Sequence, residues 1–144
     1  MTEEGKAEVL RLLQQNPFDA QMDYRLEDIQ EGMVTLSLYM RDDIFQNSRG
    51  AVHGGVLYGL SDTVMGAACF SMGKCVTTMG LQINYLRPAK VNTRVTGVGK
   101  VRQAGHNIIR TECDFHDEDG HALAHCEGMF FVLQDVRNAQ KVVQ

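Results

Sequence analysis

The sequence predicts an α+β domain in which one long helix is wrapped by a curved antiparallel β-sheet, with a short helix at the N-terminus. Two observations carry the prediction. Residues 54–72 are apolar or small almost throughout, including Val56, Leu57, Leu60, Val64, Met65 and Phe70, and a helix that is apolar on nearly every side belongs inside a protein. After it come four strand-like segments, 76–86, 93–102, 107–115 and 122–133, separated by Arg87-Pro88-Ala89, Gln103-Ala104-Gly105 and Asp117-Glu118-Asp119-Gly120. The last two turn signals imply a meander of hairpins. One strongly twisted sheet can bury one apolar helix and so close a two-layer core. A chain of 144 residues with 44% hydrophobic content has room for one such core and is short for two ordinary domains.

The remaining elements follow in order. Between Glu3 and Gln15, Ala7, Val9, Leu10, Leu12 and Leu13 recur among charges at helical spacings. Asn16-Pro17 should end that amphipathic helix, because the residue before proline avoids the α region. Segments 18–25 and 33–40 read as the two strands of a hairpin around Glu31-Gly32, the second alternating Val34, Leu36, Leu38 and Met40 with Thr35, Ser37 and Tyr39. Segment 41–52 is polar but carries Ile44 and Phe45, which suits an ordered loop. The division expected is an N-terminal amphipathic helix over 1–16, a single domain over 17–134 and a loose C-terminal tail over 135–144. One sheet around one helix is the hotdog arrangement.

The formal charge of −4 arises from mixed acidic and basic residues with no basic block, which argues against a nucleic-acid partner. The start, Met1-Thr2-Glu3-Glu4-Gly5-Lys6, lacks the basic-then-apolar order of a signal peptide, and no apolar run approaches the ~20 residues that span a bilayer. A cytoplasmic protein with no membrane partner is therefore expected. In that compartment Cys69, Cys75, Cys113 and Cys126, widely spaced and without a Cys-x-x-Cys pair, read as reduced thiols.

The candidate chemistry lies between Asn47 and Asp62. His53-Gly54-Gly55 opens the apolar helix, where N–H groups lack partners and the helix dipole is positive. The Gly54 N–H, the Asn47 amide and a His53 ring N–H could hold the oxyanion of an acyl-transfer reaction. Equally, the glycines could simply let the chain turn into a tightly packed helix. Asp62 stands on a largely apolar helix, where a carboxylate is costly unless paired or used. It could be an acid–base group, a surface aspartate, or an acceptor for Thr78 or Ser61. Gly54 and Asp62 are eight positions apart, ~12 Å along a helix at ~1.5 Å per residue, too far to touch one carbonyl. Two chains packed about a twofold with antiparallel helices would bring Gly54 of one to Asp62 of the other, so the spacing predicts a homodimer with two shared sites.

The pattern Asn47-x5-His53-Gly54-Gly55-x6-Asp62, followed by Thr77-Thr78 and by Ile83-Asn84-Tyr85-Leu86-Arg87-Pro88-Ala89, resembles the PaaI-like hotdog-fold acyl-CoA thioesterases over most of the chain, about 32–133. The resemblance implies Asp62 as nucleophile or general base, Asn47 and the Gly54 N–H polarising the thioester carbonyl with His53 in support, and Thr78 assisting the attacking water or the acid. It implies hydrolysis of an acyl-CoA, with an aryl or medium-chain acyl group, by a homodimer or a homotetramer built from two such dimers. A non-catalytic acyl-CoA sensor on the same fold is the alternative from another class, since fold alone does not give function. A third is a hotdog dehydratase or hydratase, although such enzymes use a histidine with an acid in a differently placed motif.

No cofactor or metal is expected. Cys113, His116, Asp117, Asp119, His121, His125 and Cys126 cluster in sequence, but their spacings match no structural zinc pattern and a solvated hairpin tip accounts for them. Arg87, Lys90, Lys100, Arg102 and Arg110 lie near predicted strand ends, and none is singled out as a phosphate ligand.

Overall fold

The computed structural model describes residues 1–135. Helix α1 (Glu3–Gln15) begins at Thr2, whose hydroxyl accepts the Gly5 N–H at 3.1 Å, with Glu3 and Glu4 in its first turn; both features favour a helix start. Next come α2 (Pro17–Ala20), β1 (Arg25–Gln30), β2 (Met33–Tyr39), α3 (Asp42–Phe45), the long α4 (Gly54–Ser71), and then β3 (Lys74–Tyr85), β4 (Arg94–Ala104), β5 (Ile108–His116) and β6 (Ala122–Asp135). Six strands form one antiparallel sheet in the order β1-β2-β4-β5-β6-β3. Strands β4, β5 and β6 are the expected meander. Strand β3 lies at the edge beside β6.

Helix α4 packs against β2, β3, β4, β5 and β6. Its Leu60, Val64, Met65, Ala68 and Cys69 are wholly buried. They meet inward residues that alternate along the strands, such as Leu36 and Leu38 of β2, Ile109 and Phe115 of β5 and Phe130 of β6. Burial of each large apolar side chain contributes about 1.5–3 kcal/mol. On β4 the inward position nearest the helix is Gly99, where a Cβ would stand 2.6 Å from Val64 Cγ1 and 2.8 Å from the Val64 carbonyl oxygen. The helix therefore rests directly on the backbone of that strand.

One segment differs from expectation. Of residues 18–25 only Arg25, the first residue of β1, is in a strand: Pro17 sits at the start of α2, and a turn with Asp23 at φ 56° leads into β1. Proline preorganises a helix start, and the buried Asp19 carboxylate accepts hydrogen bonds from Tyr24 at 2.8 Å and from Thr63 of α4 at 2.6 Å. The hairpin arm is β1, paired with β2 across Glu31-Gly32. The loop 41–52 is ordered, and α3 within it buries Phe45. Of the tail expected from 135 onward, Asp135 ends β6 and the remainder lies outside the described residues.

Candidate active site

Asp62 occupies the middle of α4, half-buried, and Thr78 of β3 donates its hydroxyl to Asp62 Oδ1 at 2.6 Å. A bulge aims that threonine: Thr78 pairs with Phe130, Gly80 with Met129, and Met79 is the extra residue between them. Bulges redirect side chains in this way and recur beside active sites. Ser61 is not a partner of Asp62, since its hydroxyl donates to the Tyr58 carbonyl at 2.6 Å. With Oδ1 taken by Thr78, Asp62 Oδ2 has no partner among the described residues.

Asp62 and Thr78 open onto a cavity of about 340 Å³ walled by Leu12 and Leu13 of α1, Gly66 and Phe70 of α4, and Val76 of β3. That volume lies in the range of small-molecule sites. The part played by α1 was not foreseen, because an amphipathic pattern says which face is apolar and not what that face covers. Nor was the network of Asp19, Tyr24 and Thr63 beside Asp62. Burial of the Tyr24 ring and the neighbouring Asp19 and Asp62 carboxylates hold the Tyr24 hydroxyl well above the usual tyrosine range.

The other half of the motif lies elsewhere. His53 is the N-cap of α4, and its Nδ1 accepts the Gly55 N–H at 2.8 Å. In the neutral ring the proton then sits on Nε2, which makes that atom a donor. Gly54, the first residue of the helix, has no carbonyl one turn back for its N–H. Tyr85 donates its hydroxyl to the Gly54 carbonyl at 2.5 Å, and a Cβ at Gly54 would meet that hydroxyl at 3.1 Å. His53, Gly54 and Tyr85 line a second cavity, one that shares no wall residue with the Asp62 cavity.

Asn47 lines neither cavity. Its Oδ1 accepts the Arg49 and Ala51 N–H groups at 2.9 and 3.1 Å. The oxygen thus shapes the loop and leaves the amide Nδ2 as donor. The geometry brings Asp62 to Thr78 and His53 to Gly54, and within one chain it keeps the two pairs apart.

The hairpin cluster does not assemble as a whole. Cys113 and Cys126 pair in register in the core, while His125 turns outward to Asp114 at 2.7 Å. The Asp114 carboxylate holds the His125 imidazole above its ordinary range. Asp117, Asp119 and His121 converge at the tip, where Asp117 accepts the backbone N–H groups of Asp119 and His121. All four cysteines are free thiols, and burial pushes that of Cys69 up to about 12. Among the described residues no helix is long and apolar enough to cross a membrane.

A six-stranded antiparallel sheet around one central helix is the hotdog-fold architecture of thioester hydrolases. The chain belongs to the Thioesterase superfamily, whose family model matches residues 49–124. Acyl-coenzyme A thioesterase PaaI of Escherichia coli K12 is 34% identical over 59 residues, 41% of this chain and 42% of that protein. The solved E. coli PaaI structure superposes with a TM-score of 0.85 at 19% identity, covering 94% of this chain and 99% of that one. A hypothetical thioesterase of Streptococcus pneumoniae TIGR4 solved with coenzyme A superposes with a TM-score of 0.76 at 25% identity, covering 78% and 90%.

Proposed function

We propose that this chain hydrolyses the thioester of an acyl-CoA, with an aryl or medium-chain acyl group, to the free acid and CoA, working as a homodimer with shared sites. The observation that carries the reading is the Thr78-to-Asp62 hydrogen bond on the wall of the cavity. It leaves one carboxylate oxygen to take a proton and one hydroxyl oxygen to hold a water. A sensor has no need of a base there.

In the proposed reaction a water resting on Thr78 gives its proton to Asp62 Oδ2 as its oxygen attacks the thioester carbonyl. The C=O bond becomes an oxyanion, held by the Gly54 N–H of the partner subunit together with the Asn47 amide and the His53 Nε2–H. Collapse restores the C=O bond and breaks the C–S bond, and the departing thiolate recovers the proton from Asp62. Direct attack by Oδ2 to form an anhydride, later hydrolysed, uses the same groups.

Dimerisation draws support from the edge of the sheet. Strand β3 spans 12 residues with no strand on its outer side among the described residues, and Tyr58, Met79, Tyr85 and Leu86 are exposed near it. A long, apolar, unprotected edge invites pairing with another chain, and a second copy about a twofold would cover it and complete both sites. A homotetramer of two such dimers retains that arrangement.

The test is thiol release from a panel of acyl-CoAs by the wild type and by Asp62→Asn. The expected outcome is turnover by the wild type and a kcat lower by about 10²–10⁴ in the variant. Binding without hydrolysis by the wild type would leave the sensor.

A further inference from the structure

The cavity beside Asp62 extends along both α4 and β3. Along α4 it runs from Asp62 through Gly66 to Phe70, eight residues or ~12 Å at ~1.5 Å each. Along β3 it runs from Thr78 back to Lys74, four residues or ~13 Å at ~3.3 Å each. Leu12 and Leu13 of α1 roof it, and at the end remote from Asp62 stands the ion pair of Lys74 with Asp135. One position keeps the passage open. Gly66 lies one helical turn beyond Asp62 on the same face, and a Cβ built there would meet nothing nearer than Phe130 Cε1 at 3.9 Å. A side chain at 66 would therefore occupy the passage without clashing with backbone.

We propose that this cavity is an acyl tunnel for a straight saturated chain, and that the bare backbone at Gly66 sets how far the chain can enter. The proposal rests on the thioesterase reading and deepens it. Carbon–carbon bonds of 1.52 Å at angles near 111° advance a chain by ~1.25 Å per carbon, so a ~12 Å passage takes about eight to ten carbons before the Lys74–Asp135 pair stops it. An aromatic ring would fill the end near Asp62 and leave the apolar stretch between Gly66 and Phe70 without contacts.

The test measures kcat/KM over acetyl-, butyryl-, hexanoyl-, octanoyl-, decanoyl-, lauroyl- and palmitoyl-CoA, with phenylacetyl-CoA alongside, for the full-length wild type, Gly66→Ala and Gly66→Leu. The wild type should rise about three- to fourfold per methylene to a maximum at eight to ten carbons and then fall. Gly66→Leu should lower the decanoyl-to-butyryl ratio at least tenfold, and Gly66→Ala should shift it in the same direction by less. A melting curve for Gly66→Ala matching the wild type shows that the shift comes from the tunnel. A flat wild-type profile, a preference for phenylacetyl-CoA over every straight chain, or an unchanged ratio in both variants would overturn the tunnel while leaving a thioesterase. If no ester is cleaved, the thioesterase reading fails. Equilibrium binding then decides the tunnel: Gly66→Leu must weaken decanoyl-CoA at least tenfold relative to acetyl-CoA, and equal weakening of both overturns it.

Discussion

At the scale of single residues, the two halves of the proposed site can be tested separately. Gly54 is the first residue of α4 and His53 before it is extended, at φ −62° and ψ 134°. A proline at 54 suits both backbone conformations and deletes the N–H proposed to face the oxyanion, setting its ring in that place with its Cβ about 3.1 Å from the Tyr85 hydroxyl. Gly54→Pro should fold and lower kcat by about 10²–10³, with steady-state kinetics and circular dichroism as the check. Asn47 allows a similar separation. Asn47→Asp keeps the oxygen that holds the Arg49 and Ala51 N–H groups and removes the amide donor, so kcat should fall with little change in Tm. Asn47→Ala removes both, and should also lose about 1 kcal/mol of stability. Equal kcat in Asn47→Asp and wild type would take Asn47 out of the chemistry. The places of His53 and Gly54 at the start of α4 and of Asp62 in its middle were legible because residue type and spacing carry that information within one helix. Asp19 was not, because its partner Thr63 is 44 positions away.

At the scale of elements, periodicity was informative where one helix face or strand face meets the core and misleading where polar side chains decide. Phe18, Ala20, Met22 and Tyr24 alternate with Asp19, Gln21, Asp23 and Arg25, an apparent strand pattern. Pro17 and the hydrogen bonds to Asp19 make the segment a helical turn instead. The true arm, β1, carries a bulge between Leu26 and Asp28 that breaks its alternation, so the pattern never showed it. The contact of α4 with β4 offers a sharper test. Gly99→Ala puts a methyl group against the Val64 backbone and should cost about 1–3 kcal/mol, lowering Tm by roughly 3–10 °C. Gly80→Ala, with nothing within 4 Å of its Cβ, should leave Tm within about 2 °C. Equal melting of the two would mean that helix and strand are not in direct contact.

At the scale of the whole molecule, the chain holds two separate cavities, one beside Asp62 and one beside Gly54, which the proposed function reads as the two halves of a shared site. The Asp62 cavity and the Gly54 cavity have no wall residue in common, and the proposed dimer joins them across the exposed edge of β3. Sedimentation should therefore give twice the 16.1 kDa chain mass, or four times if two dimers associate. The measurement that bears most directly on the shared site mixes two inactive variants. In a heterodimer of Asp62→Asn with Gly54→Pro, one site carries both lesions and the other carries neither. After unfolding and refolding an equimolar mixture, half of the dimers are heterodimers, and acyl-CoA hydrolysis should return to about a quarter of the wild-type rate, allowing for the random pairing of identical subunits. Each variant refolded alone should stay inactive. A mixture no more active than its components, with subunit exchange verified, would mean that each chain builds its site alone.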